Sequence, residues 1–210
     1  MIYMIKKFFI SSLILLLSSC TTFSASQYSE LYKASKSLFF SNATEITQDY
    51  YDTFNYSFAQ VKIGRGPSAI LSLVSIDNGY YEWVSSENIK IITLSGRIVR
   101  TIGLPHDAYR SSALLNNCCT DLSSIEPIRL YSPDLFGNSL VTNLEIEKNI
   151  PLSYLEESIQ TKLIKESYSL SEINWMGTNL YYFDDSFRPI LTLQKIHPYL
   201  DEIRMQFFYK

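Results

Sequence analysis

Few groups in this chain have a type and spacing that could do chemistry, and the cysteines come first. Cys20 ends the tetrapeptide Leu17-Ser18-Ser19-Cys20, directly behind the apolar run 8–17 and the basic pair Lys6-Lys7. A thiolate there can take a diacylglyceryl group, and the two small residues before it let a peptidase reach the scissile bond. The new amino terminus can then be acylated in turn. The competing reading is an ordinary export signal with a chance cysteine at its cut site. Cys118 and Cys119 are neighbours in the chain, and neighbouring cysteines bridge only through a strained eight-membered ring. Their alternatives are a vicinal disulfide, a bond to another chain, or two buried thiols. Adjacent thiolates suit one tetrahedral ion poorly, and His106 and His197 are the only imidazoles that could complete a site, so no metal is expected.

Catalytic constellations are equally thin. Glu156-Glu157 and Asp184-Asp185 are paired carboxylates, but neighbours in a strand point to opposite faces, away from the joint attack that glycoside hydrolysis needs. The chain has no Gly-x-Ser-x-Gly elbow, His-Glu-x-x-His helix, Walker loop or dinucleotide fingerprint. Gly64-Arg65-Gly66-Pro67 is too short for a phosphate cradle, and Pro67 lacks a donor, so it reads as a turn. These absences predict a protein that is no enzyme and carries no cofactor. Aromatic rings are the remaining candidates. Tyr80, Tyr81, Trp83, Trp175, Tyr181 and Tyr182 could stack on sugars if exposed, although cross-strand pairing inside a core is the favoured reading. Arg97 and Arg100 fall on opposite faces of one strand, so one of them points inward and needs a carboxylate such as Glu82 or Glu87. Tyr81, Trp83, Arg97, Arg100 and Tyr181 are therefore the candidate surface for a glycan or a partner protein.

The elements that must position these residues are mostly strands. Residues 28–40 space Leu31, Ala34 or Ser35, and Leu38 at helical intervals and predict an N-terminal helix. From residue 55 the period becomes two. Residues 56–63 alternate, and 69–76 form a nearly continuous apolar run, as in a strand covered on both faces. Asp77-Asn78-Gly79 is a strong hairpin signal, leading into 80–84, and Ser95-Gly96 turns 89–94 into 97–102. Together these segments form an antiparallel meander. Residues 103–124 read as a long loop carrying the cysteine pair. Strands follow at 125–131 and 139–146 about a turn at Pro133 and Gly137. Residues 152–169 fit a helix through Leu155, Ile159 and Leu163, and equally a hairpin. Residues 174–183 and 187–196 form a hairpin about Asp184-Asp185-Ser186. Pro198 then interrupts before 203–209, a candidate edge strand.

Composition bounds what such a chain can be. Aromatic residues make up 14%, with 16 Tyr and 12 Phe against 7 Gly, which favours strands over a helical bundle. With 46% apolar and 19% charged residues, disorder is excluded. The leader carries a positive start and an apolar stretch too short to cross about 30 Å of hydrocarbon, as in a cleaved secretory signal. Removing residues 1–19, with Lys6 and Lys7, leaves 191 residues and takes the formal charge from −3 to −5. Nucleic-acid binding is excluded on bulk charge, because too few cations remain to neutralise phosphates. One acyl chain anchors only marginally, at about 0.8 kcal/mol per buried methylene, whereas three chains on Cys20 anchor permanently. Residues 20–27 then read as a lipidated linker, and 28–210 as one mainly β domain, an antiparallel sandwich or open barrel with its N-terminal helix.

Several motifs occur in an order that resembles one family. Residues 58–73 (FAQVKIGRGPSAILSL), then Asn78-Gly79, Trp83-Val84-Ser85 and 96–104 (GRIVRTIGL), are similar to the YjbF/GfcB lipoproteins, encoded with exopolysaccharide or group 4 capsule operons. Residues 179–184 (NLYYFD), Ser186, Leu193-Gln194 and Pro198 resemble the closing hairpin of that family more loosely, with Tyr182 where tryptophan is expected and Phe183 where a smaller apolar residue is usual. The likeness runs from about Cys20 to about Pro198 and leaves out the Cys118-Cys119 loop. It implies an outer-membrane lipoprotein, facing the periplasm, that assists polysaccharide secretion beside an outer-membrane β-barrel and other export proteins. Thr21 after the lipidated cysteine, where an aspartate is missing, agrees with the outer membrane. The resemblance carries no catalytic residues, and it favours strands for 152–170. A glycan-binding protein of the same pathway, or a carrier of acyl chains in a hollow sheet, are the alternatives.

Overall fold

The computed structural model describes residues 46–111 and 123–210. The leader, Cys20, the helix expected over 28–40 and the Cys118-Cys119 pair lie outside the described residues. A one-turn helix, α1 (Gln48–Asp52), is capped by the Thr47 hydroxyl, which accepts from the Tyr50 N–H. Twelve strands follow: β1 (Phe58–Ile63), β2 (Ser68–Asp77), β3 (Tyr80–Val84), β4 (Lys90–Leu94), β5 (Arg97–Ile102), β6 (Ala108–Arg110), β7 (Ser123–Leu130), β8 (Leu135–Tyr154), β9 (Glu157–Leu170), β10 (Trp175–Phe183), β11 (Pro189–Gln194) and β12 (Ile203–Phe208). Each pairs antiparallel with its neighbours in sequence, and β12 pairs with β1 from Phe58↔Phe208 to Ile63↔Ile203, so the sheet closes into a barrel. The mainly β expectation therefore holds, but the sheet is neither open nor a sandwich.

Closure corrects the reading of 203–209 as an edge. β12 is paired on both sides, because its inward row Ile203, Met205 and Phe207 belongs to the core. The loop expected over 103–124 contains β6, which pairs with β5 and β7. Residues 69–76 are covered on both faces only at the start of β2; Val74 falls at a bulge and Ile76 pairs with Tyr81 at the rim of the barrel, and they are 56% and 58% exposed.

Turn chemistry sets most of the register. Asn78 (φ 49°) with Gly79 (φ 82°), and Ser95 (φ 48°) with Gly96 (φ 80°), make the tight hairpins the sequence signals. Only glycine fits at 96, since a Cβ there would lie 2.6 Å from the Pro189 side chain at the start of β11. The segment 152–169 is strand on both sides of a turn at Leu155 and Glu156, two non-glycine residues with φ of 48° and 65°.

That turn ends a long arm. β8 and β9 run well past their neighbours, shift register between Glu147 and Ile150, and bring their tip to the outside of β1 and β12. There Tyr154 stacks on Phe208 at 5.4 Å and donates its hydroxyl to the Phe207 carbonyl, while Leu155 packs beside Tyr51 and Phe54. Phe58 and Phe208, which face outward, are fully buried by this cover.

Candidate functional site in the barrel lumen and at its mouth

Period-two alternation sends one side chain in two from every strand into the lumen. On one side of the lumen these are apolar: Ala59, Val61, Leu71, Trp83, Ile91, Met205 and Phe207 form one cluster. The Trp83 indole, wholly buried, donates to the Thr93 hydroxyl at 2.9 Å.

On the other side the inward positions bring four charges together. Arg97 from β5, Arg110 from β6, Glu126 from β7 and Glu166 from β9 are each at most 4% exposed. Both guanidinium groups donate to both carboxylates, with Arg97 Nη1 to Glu126 Oε2 at 3.2 Å and Arg110 Nη2 to Glu166 Oε1 at 3.0 Å. Glu166 also accepts from the Asn179 amide at 2.8 Å and the Tyr181 hydroxyl at 2.6 Å. Two positive and two negative charges cancel, which is the condition for burying them. Burial, with the adjacent Glu166 carboxylate, still lifts Glu126 to about 7 against the pull of Arg110. Burial works against the Arg110 charge, and the two carboxylates overcome it and raise that group. Tyr181 is pushed well above its ordinary value by burial and Glu166, so it stays a donor.

Gln194 ties opposite walls across this level. Its amide nitrogen donates to the Gly96 carbonyl and the Thr192 hydroxyl, both at 2.9 Å, and its oxygen accepts from the Ile98 N–H at 2.8 Å. β11 and β5 lie opposite one another in the strand order, so this bridge crosses the lumen.

The barrel mouth beside this bridge is a cleft of about 460 Å³, formed by the β2–β3 and β4–β5 turns, the start of β11 and the end of the chain. Tyr81 and Tyr209 line it with their rings 6.5 Å apart and nearly perpendicular. Phe187 and Arg188 come from the β10–β11 turn, where Asp184 accepts from the Arg188 backbone N–H at 2.8 Å and from its Nε at 2.9 Å.

A second, shallower groove of about 410 Å³ crosses the outer wall of β8, β9 and β10. Its outward row runs through Val141, Ser169 and Met176, and continues to Ile125 on β7. Ile125 and Met176 are each 71% exposed, and among the described residues no charged one lines the groove.

Elsewhere His106 and His197 stack at 4.9 Å, beside Tyr199. Burial, with the His106 ring alongside, lowers His197 to about 4.

The residues singled out in the sequence are thus dispersed. Tyr81 is half-buried at the mouth, with Trp83 beneath it along β3 at 6.1 Å between rings. Trp83, Arg97 and Tyr181 are at most 1% exposed and offer no outer surface. Arg100 alone lies on the outer wall, opposite Ile92 and Tyr109. Arg97 is the inward arginine of the pair, but its partners are Glu126 and Glu166. Glu82 pairs with Lys90 at 2.8 Å instead, because both sit outside on neighbouring strands. Sequence reading missed Arg110, Glu126, Glu166 and the mouth residues Tyr209 and Arg188. For the two glutamates a signal existed: each interrupts an inward row that is otherwise uncharged, Ser124-Ile128-Leu130 and Ile164-Tyr168-Leu170.

Comparison with known proteins places these features in context. A family model described as group 4 capsule polysaccharide lipoprotein gfcB, YjbF, matches residues 31–208. Among solved structures, the crystal structure of the hypothetical lipoprotein YmcC from Escherichia coli (K12) matches with a TM-score of 0.69. The match covers 85% of this chain and 94% of that one, at 16% identity, a level that shows a shared fold alone. No curated protein matches the chain.

Proposed function

Because the chain belongs to the YjbF family of group 4 capsule polysaccharide lipoproteins, we propose that it is a non-enzymatic accessory factor in capsule or exopolysaccharide secretion. Membership supports a lipoprotein of the cell envelope with a role in the polysaccharide pathway. In the finer reading, the leader is cut before Cys20, and the acylated cysteine holds the barrel on the periplasmic face of the outer membrane. The domain acts there by contact with an outer-membrane β-barrel. The observation that carries this reading is the family match over 31–208, which begins shortly after the lipobox.

Two structural features favour contact over transport. A neutralised charge quartet and the Gln194 bridge stand inside the lumen, whereas an acyl chain needs an uncharged hollow. The outer groove between Ile125 and Met176 instead exposes apolar side chains among uncharged polar ones such as Asn143 and Thr178, with no charge among the described residues, a composition that suits a protein contact.

Cys20→Ala in the full chain should move the protein to the soluble fraction and abolish incorporation of labelled palmitate. Persistence in the membrane with label retained would overturn the anchor. Met176→Glu puts a charge on the outer groove at a side chain already 71% exposed, so folding should be unchanged. Crosslinking in intact cells, followed by capture of the β-barrel partner, should lose the partner at least tenfold in this variant. An undiminished yield would remove the groove from the reading.

A further inference from the structure

The mouth cleft has the composition of a binding site in its own right. Its floor carries two rings, Tyr81 and Tyr209, each held by a neighbour two residues away on the same strand face. Trp83 lies nearly parallel to Tyr81 at 6.1 Å, and Phe207 nearly parallel to Tyr209 at 6.2 Å. Tilted and edge-on contacts of Trp83 with Phe207 and Tyr209 join the four rings into one cluster reaching from the mouth into the core. Rings fixed in this way lose little freedom when a ligand lands on them. The faces of aromatic rings carry partial negative charge and attract the C–H groups of a sugar.

Polar groups surround that floor. The Asn78 amide and the backbone of two tight turns stand on the rim. Tyr209 keeps its proton, because burial, with Tyr81 and Tyr154 alongside, pushes the phenol above its ordinary value. Its hydroxyl is therefore available as a donor.

Charge then narrows the ligand. Among the described residues the cleft is lined by two cations, Arg188 and Lys210, and by no acidic side chain. Lys210 is engaged, with its ammonium 3.5 Å from the centre of the Tyr51 ring and 3.7 Å from Asp52. Arg188 is differently placed. Asp184 holds it through Nε and the backbone, its guanidinium lies 5.8 Å from the centre of the Tyr209 ring, and the side chain is 62% exposed. Among the described residues neither terminal nitrogen of the guanidinium makes a hydrogen bond, and a planar fork of two N–H groups is the geometry that takes a carboxylate.

We propose that the cleft between the two hairpin turns and the end of the chain binds one or two residues of an anionic saccharide. The sugar ring lies on Tyr81 and Tyr209, and its acid group meets Arg188. A volume of about 460 Å³ lies in the range of small-molecule sites, roughly 300–1,000 Å³. The assignment deepens the polysaccharide reading, on which it rests for its ligand class. It is separable from the outer groove, which lies on other strands.

The test uses the full lipidated chain in detergent micelles, titrated with sodium glucuronate, methyl glucoside or inorganic phosphate and followed by protein NMR shifts. Glucuronate should bind saturably, with shifts confined to the mouth, and methyl glucoside and phosphate at least tenfold more weakly. Arg188→Ala should weaken glucuronate at least tenfold, as expected for one lost charge-assisted contact. Tyr81→Ser should weaken both sugars. Where Tyr81→Ser lowers stability, Arg188→Ala still decides, because that side chain is mostly exposed. Absence of saturable glucuronate binding, equal binding of phosphate, or unchanged affinity in Arg188→Ala would each overturn the proposal. Partner capture by Arg188→Ala should remain at the wild-type level. Loss of sugar binding with partner capture intact therefore separates this site from the secretion reading.

Discussion

The two sides of the barrel lumen reach the same burial by opposite chemistry. Around Trp83 and Phe207, apolar side chains are removed from water and each contributes on its own, at about 25 cal/mol per Å². Around Glu166, burial is tolerable only as a set: each of the four charges is neutralised by two others, and any one alone would be costly. One side is a sum of parts and the other is a network. The network also draws on β5, β6, β7, β9 and β10, five strands that must all be in register before any of its charges is satisfied. The apolar side tolerates small errors of register. The charged side does not, so it can serve to specify a single closure of the sheet.

The largest expected effect breaks this contrast from the charged side. Glu166→Ala leaves Arg97, Arg110, Asn179 and Tyr181 without their shared acceptor, and should cost about 3–5 kcal/mol in urea unfolding. Trp83→Ala removes the largest ring of the apolar side and should cost a similar amount, about 3–5 kcal/mol. The difference emerges on combination. Replacing all four charges by Met or Leu of matching volume should leave the barrel as stable as the wild type, or more stable by about 1–4 kcal/mol. Further large substitutions around Trp83 should simply keep adding cost. A quadruple variant as unstable as Glu166→Ala would show that the charges contribute more than mutual neutralisation.

A smaller effect separates two buried titratable groups by pH. Glu126 is raised from 4.5 to about 7 in the folded chain, chiefly by burial, so the folded state holds a proton that the unfolded state has released. Stability from this group is full below about pH 4.5 and falls as pH rises toward 7. His197 is lowered from 6.5 to about 4, again chiefly by burial, so the unfolded state takes the proton first. Stability from this group is full above about 6.5 and falls as pH drops toward 4. Each contribution is on the order of 3 kcal/mol. The opposed slopes nearly cancel in the wild type between pH 4.5 and 6.5. Glu126→Gln should uncover a rise of stability with pH across that window, and His197→Asn a fall. Chemical denaturation at several pH values reads both, and a Glu126→Gln curve parallel to the wild type would reject the raised value.

How much of this was legible in the sequence follows from how far apart the cooperating residues lie. The Asn78-Gly79 and Ser95-Gly96 turns are local, with a glycine that the left-handed backbone demands, and both hairpins could be read directly. The Leu155-Glu156 turn uses the same backbone region without a glycine. It is held by the packing of its tip on β1 and β12, which no local pattern encodes, so 152–169 read equally as a helix. Closure by β12 depends on a partner about 145 positions away in the chain and was invisible to periodicity. At the site, alternation correctly turned Arg97 inward. It could not choose Glu126 and Glu166 over Glu82, because which strands face each other across a lumen is decided only when the barrel closes. Tyr81 was legible as an aromatic residue of a hairpin; its cleft was not, since Tyr209 and Arg188 reach the mouth from the far end of the chain.

The smallest expected effect sharpens the contrast from outside. Glu82 and Lys90 make the ion pair that sequence proximity suggests, at 2.8 Å across β3 and β4. The Glu82 carboxyl is held below its ordinary value by the Lys90 hydrogen bond. The pair is geometrically as good as any within the quartet, yet its side chains are 40% and 29% exposed. Water therefore solvates either charge once its partner is gone, and the pair contributes about 0–1 kcal/mol. Lys90→Ala should shift the urea midpoint by no more than that, and 0.5 M salt should remove most of the difference by screening. The same salt should leave the loss in Glu166→Ala unchanged, because ions do not reach a side chain 1% exposed. Distance alone cannot account for such a divergence between two ion pairs of similar length. It follows from whether the surviving partner is left in water or in the lumen.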